Sequence, residues 1–234
     1  MRIKEIRLKS SNKDTRPYKS IAPYFVKILL YTPVTPNQVS VVRIILIFIA
    51  AGFFTLGEFW FSIAAIFLLY LSRLIDSIDG TLARCKKMVT KLQADLLETF
   101  GHEPLTTLVI MGIAFGVYTS TNNIIYLYLS IFGGVSQLLT IYTQKSRDYL
   151  LLKHMKKVVV SSDPARTFIK TDMEKIIFNI FTIPLLYYKT IILIATLLNI
   201  LDWLTIFYGV FLPIRSLLFF IWTYLNFKKL DKKI

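Results

Sequence analysis

An all-α integral membrane protein, with six transmembrane helices and an amphipathic interfacial helix ahead of them, is the fold class that three observations predict. Hydrophobic residues make up 55% of the 234, more than a soluble core of this size needs. Several apolar stretches reach the roughly 20 residues that the hydrocarbon core of a bilayer demands. The positive charge, formally +14, gathers in the N-terminal segment, in residues 145–170 and in the tail from Lys228. These stretches share one side of the membrane if the spans alternate, which is the inside-positive pattern of cytoplasmic loops.

That distribution argues against a nucleic-acid partner, because the charge follows topology rather than forming one basic face. A single cysteine, Cys85, excludes an internal disulfide. No short apolar core with a small-residue cleavage site follows the first 20 residues, so no removable signal peptide is expected.

Residues 1–16 are expected to form a basic, flexible segment, and residues 17–234 one domain. From Pro17 to Tyr31, aromatic and aliphatic residues mix with Lys19 and Lys27, which suits a helix lying in the interface. Thr35-Pro36-Asn37 is a helix start, with Thr35 as N-cap and Pro36 in the first helical position. The first span runs from about Gln38 to Leu56, a turn follows at Gly57-Glu58, and the second runs from Trp60 to Ile78. Its helix continues through the polar residues beyond. Lys86, Lys87 and Lys91 mark the return to the basic side. The third helix climbs from Lys91 to Tyr118, and the fourth covers Ile124 to Tyr142. Residues 144–172 are expected to be a long polar connection with a short amphipathic helix. The apolar stretch from Glu174 to Tyr224 holds two spans, divided near Lys189 or near Asp202. Six spans place both termini in the cytoplasm.

Function is concentrated in the window from Asp76 to Glu103, which holds every membrane-depth carboxylate between residues 59 and 173. Charged groups there are disfavoured by at least ~2.5 kcal/mol each unless they face protein, ions or water. Asp76, Asp79 and Ala83 share one helical face, and Asp95, Glu98 and His102 share another on the next helix. Interhelical salt bridges with Arg73, Arg84 and the lysines would explain any one acid. They do not explain why all the acids crowd into one window. Converging carboxylates suit hard divalent cations, and two such ions suit phosphoryl chemistry. Gly80 leaves room for close approach, and Arg84 offers a planar donor fork for phosphate.

Asp76-x-x-Asp79-Gly80-x-x-Ala83-Arg84 resembles the first half of the signature of the CDP-alcohol phosphatidyltransferase family, at all five specified positions. Thr35-Pro36-Asn37 is similar to the start of that family's first span. The second half of the signature, Gly-x-x-x-Asp-x-x-x-Asp, departs. In strict register its positions fall on Gln93, Leu97 and Gly101; with one extra residue they fall on Ala94, Glu98 and His102. The second register keeps two chemically capable groups. The resemblance implies that Asp76, Asp79 and Glu98 hold two divalent ions, Mg2+ or Mn2+, with Asp95 as an alternative ligand. It implies His102 as the base, in place of the last Asp. It gives Gly80, Ala83, Arg84 and Asn37 to the nucleotide donor. Arg147 and Arg166 are candidates for an acceptor phosphate, although inside-positive topology alone accounts for them.

The expected activity is transfer of a phosphatidyl or phospho-alcohol group from a CDP-linked donor to an alcohol acceptor, with release of CMP. The donor is CDP-diacylglycerol, an archaeal-type CDP-lipid or a soluble CDP-alcohol. The resemblance also implies a homodimer, with the site near the cytoplasmic face. Two other readings use the same residues: a catalytically inactive relative that binds CDP-lipid, and an ion-coupled transporter. Against the transporter, the acids gather at one end and no inverted repeat is visible.

Overall fold

The computed structural model describes residues 5–6, 17–88, 91–101, 103–154, 184–185 and 187–231. Among them all regular structure is helical: α1 (Pro17–Leu29), α2 (Pro36–Thr55), α3 (Phe59–Lys86), α4 (Lys91–Gly101), α5 (Glu103–Thr121), α6 (Ile124–His154), α7 (Tyr188–Leu197) and α8 (Leu201–Asp231). Five helices are long and apolar enough to cross a membrane, the third being the stretch Leu92–Thr121 that includes most of α4 and all of α5. The sixth expected span corresponds to α7, a mostly apolar helix of ten residues, before which residues 155–183 lie outside the described part. The chain is an integral membrane protein.

The expected N-terminus of α2 forms as a complete capping box. The Thr35 side chain accepts from the Gln38 backbone N–H, the Gln38 side chain accepts from the Thr35 N–H, and Pro36 follows the cap. This satisfies two amides that a helix otherwise leaves orphaned. Thr35→Ala is expected to lower stability by about 1 kcal/mol, read as a fall in melting temperature in detergent with the helix content unchanged.

The direction of each helix follows from who meets whom. Ser40 meets Asp79 and Phe53 meets Phe61, so α2 and α3 are antiparallel. Asn37 meets Gln93, while Gly112 and Gly116 lie against Ala51 and Phe54, so α4 and α5 run parallel to α2. This parallel pair is glycine-tight: a Cβ on Gly112 would stand 2.6 Å from the Ala51 carbonyl oxygen, and one on Gly116 would run into that of Phe54. Small residues four apart allow this backbone approach where lipid gives no hydrophobic drive. Gly57, at φ +72°, turns the chain into α3 against the Gly116 carbonyl. α5 is the central element, with 56% of its apolar window buried against 28–33% for the other four long helices. The outer faces, such as Val41, Ile45 and Phe48 of α2, are exposed, as a lipid-facing surface requires.

The described part adds detail at three places. α6 continues past Tyr142 to His154, because Leu151 prolongs its buried stripe; the rest of the expected polar connection lies outside the described residues. The last apolar stretch divides at residues 198–200, beside Asp202. Lys189 lies instead in the first turn of α7, 9% exposed, donating to the Leu69 carbonyl and to Ser72 Oγ, both at 3.1 Å. Third, Ile6 is fully buried with Ala22, Val26 and Leu82, so part of the N-terminal segment packs against α1 and α3.

Candidate active site

The start of α2, the end of α3 and α4 come together at one end of the bundle. Asp76, Asp79, Gly80, Ala83 and Arg84 lie in the last three turns of α3. Asp76 and Asp79 are half-buried and, three apart, share a face. α2 organises that face. Ser40 Oγ donates to Asp79 Oδ2 at 2.7 Å, and Arg43, two turns further along α2 than Asn37, forms an ion pair with Asp76 Oδ1. Asn37 Nδ2 donates to Gln93 Oε1 at 2.8 Å, tying α4 to the same edge of α2. Lys86 Nζ donates to the carbonyls of Thr32 and Val34 at 2.7 and 2.8 Å, which anchors the end of α3 to the loop entering α2.

Of the nucleotide candidates, Arg84 is exposed and Asn37, Gly80 and Ala83 are half-buried. A Cβ on Gly80 would touch, among the described residues, only the Arg84 guanidinium at 3.9 Å. Packing therefore does not demand glycine here, although glycine inside a helix costs about 1 kcal/mol. What it provides is a notch beside Arg84, whose Nη2 donates to Thr81 Oγ1 at 3.3 Å and whose side chain is exposed.

α3 and α4 each meet the start of α2. α4 packs on α2 and α5, and α3 packs on α2, so that among the described residues α3 and α4 do not form a packed pair. The reason is the parallel α2–α5 pairing, which carries α4 onto α2 rather than onto α3. Asp95 and Glu98 lie on α4, but their side chains, like the whole of His102, fall outside the described residues. Among the described residues no three acidic, histidine or cysteine side chains form a ready metal cluster. The described donors, two carboxylates on one face, are of the oxygen type that hard divalent ions take. Arg166 lies outside the described residues. Arg147 is 2% exposed, paired with Asp148 at 2.8 Å and set over the Phe219 ring of α8.

Four residues at this end were not among the sequence candidates: Ser40, Arg43, Gln93 and Gly101. Gly101 is buried, and a Cβ on it would run into the Arg43 guanidinium. The signal for two of them was present. Asn37, Ser40 and Arg43 repeat at intervals of three on an otherwise apolar span.

The family described as CDP-alcohol phosphatidyltransferase has a model that matches residues 33–211, from just before the Thr35 cap to the middle of α8. No curated protein matches the chain.

Proposed function

The chain belongs to the CDP-alcohol phosphatidyltransferase family, and from that premise we propose that it makes a membrane phospholipid by transfer from CDP-diacylglycerol or another CDP-linked donor to an alcohol. The family transfers groups from CDP-alcohols to alcohol acceptors and is generally dependent on divalent metal. The observation that carries the reading is the α3 face. All five specified residues of the signature's first half are present, Asp79 is held by Ser40, and a notch opens at Gly80 that packing does not require.

In this mechanism Asp76, Asp79 and Glu98, with Asp95 as an alternative, hold two Mg2+ or Mn2+ ions. When bound, these offset the negative charge of the donor's pyrophosphate. Gly80 and Ala83 let the nucleotide lie against α3, Arg84 offers its fork to phosphate, and Asn37 closes the edge of the site from α2. The acceptor oxygen attacks the phosphorus that carries the lipid alcohol, the bond from that phosphorus to the bridging oxygen of CMP breaks, and CMP leaves. His102 takes the hydroxyl proton, a role that an imidazole fills near neutral pH. Arg147, buried against Asp148 and Phe219, fits inside-positive topology better than contact with an acceptor phosphate, and Arg166 is the second candidate for that phosphate. The site faces the cytoplasm, both termini lie on that side, and the protein works as a homodimer.

The test is CMP release from CDP-diacylglycerol by the purified protein with Mg2+ or Mn2+, over a panel of alcohol acceptors. His102→Ala is expected to lower the rate about 10²- to 10⁴-fold, the usual range for a general base, with donor binding retained. Release unchanged by His102→Ala would remove the base and keep the transferase. Metal-dependent CDP binding without turnover, for lipid and soluble donors alike, would identify an inactive relative.

A further inference from the structure

Arg43 is a charged residue on a spanning helix, 5% exposed, and its guanidinium reaches two other helices. On one side it pairs with Asp76 Oδ1, the first carboxylate of the signature on α3. On the other it occupies the space that a side chain at residue 101 would need, since a Cβ on Gly101, the last residue of α4, would run into it. Stability does not account for this arrangement. A charge inside a spanning helix is costly, and burying it in a pair is weak evidence of a stabilising role. The Arg43 Nε adds to that cost, being buried with no hydrogen-bond partner among the described residues. Among those residues α3 and α4 do not pack on each other, so the two halves of the signature meet through α2. Gly101 follows Glu98 by three residues and directly precedes His102. Arg43 therefore joins the first half of the signature to the point where the second half ends.

We propose that Arg43 is a positioning residue: seated against Gly101, its guanidinium fixes where the Asp76 carboxylate stands relative to the α4–α5 junction. The inference rests on the transferase reading above and adds to it a residue outside the signature. Arginine suits the task because its planar fork stays charged at every accessible pH and presents donors in fixed directions. The carboxylate it holds is thus set in orientation as well as in charge. Partners that hold a metal-binding group in this way matter about 10- to 100-fold for affinity or activity.

The experiment compares purified full-length wild type, Gly101→Ala, Arg43→Gln and the double variant. Melting temperature, hydrogen exchange of the α4 amides and the kinetics of CMP release are read on each. Gly101→Ala is the discriminating variant. Its Cβ meets the far end of a flexible side chain, so the fold yields by moving the guanidinium off Asp76. Helix propensity alone would make alanine protective here. The expected result is the opposite, with α4 amides exchanging severalfold faster at a melting temperature close to that of wild type. The turnover number is expected to fall about 10- to 100-fold, with the KM for the donor within about twofold of wild type, because Gly80, Ala83 and Arg84 are untouched. In the Arg43→Gln background, Gly101→Ala is expected to add nothing, because the group it displaces is gone. Slower or unchanged α4 exchange with full turnover in Gly101→Ala, or two substitutions that act additively, would overturn the inference. No CMP release by wild type with any donor would overturn the transferase reading, and α4 exchange would still decide whether Arg43 joins the two elements.

Discussion

Asp79→Asn is expected to reduce CMP release by about a thousandfold while leaving the protein folded. The carboxylate is half-buried, it lies next to the notch at Gly80, and an amide in its place loses the charge that a divalent ion requires. Metal-assisted stabilisation of transferring phosphoryl groups is worth several kcal/mol, and each ~1.36 kcal/mol is tenfold in rate. The fold is spared because the side-chain oxygen of the substituted amide still accepts from Ser40 Oγ, the contact that Asp79 makes at 2.7 Å. The measurement pairs CMP release with a melting curve of the same preparation. A rate within tenfold of wild type would take Asp79 out of the machinery.

Gly116→Leu is expected to have the largest effect on the fold. The carbonyl oxygen of Phe54 already occupies the place of a Cβ on Gly116, and the Gly57 amide nitrogen lies 3.2 Å from it. Both obstacles are backbone, so no rotamer change relieves them. Overpacking of a close-packed site costs about 1–3 kcal/mol for added methylenes alone. Here an entire side chain must separate α2 from the central helix. The expected result is loss of the monodisperse species on size exclusion in detergent, or a melting temperature lowered by roughly five to ten degrees, at about 2–4 °C per kcal/mol for a chain of this size. Leu108→Ile, on the same helix and only partly buried against the core, serves as the mild control.

Helix identity and order were legible because bilayer thickness forces long apolar runs, and the capping box at Thr35 and the glycine turn at Gly57 punctuate them. The first half of the site was legible for a related reason: charges at membrane depth are rare enough that Asp76, Asp79 and Arg84 stand out. Arg43 is equally rare at that depth, but it lies outside the acidic window and on a different helix, and only the folded chain brings it to Asp76. The neighbour relation of α3 and α4 was not legible at all. Adjacency in the chain suggests two packed faces, whereas glycines at 112 and 116 draw α5 onto α2 and carry α4 to its flank. The break beside Asp202 was one of two choices. Lys189 competed for it because its partners, Leu69 and Ser72, lie on a helix far away in sequence.

That distant pairing has a consequence for biogenesis. Leu69 precedes Lys189 by 120 residues, so α3 leaves the ribosome long before α7 does. A lysine at the centre of a helix opposes insertion by about 2.5–3.5 kcal/mol, and Lys189 lies in the first turn of α7. With α3 in place, a carbonyl and a hydroxyl accept from its ammonium. The contact between α3 and α7 thus closes only once both have been made, and Lys189 gains its two acceptors at that step.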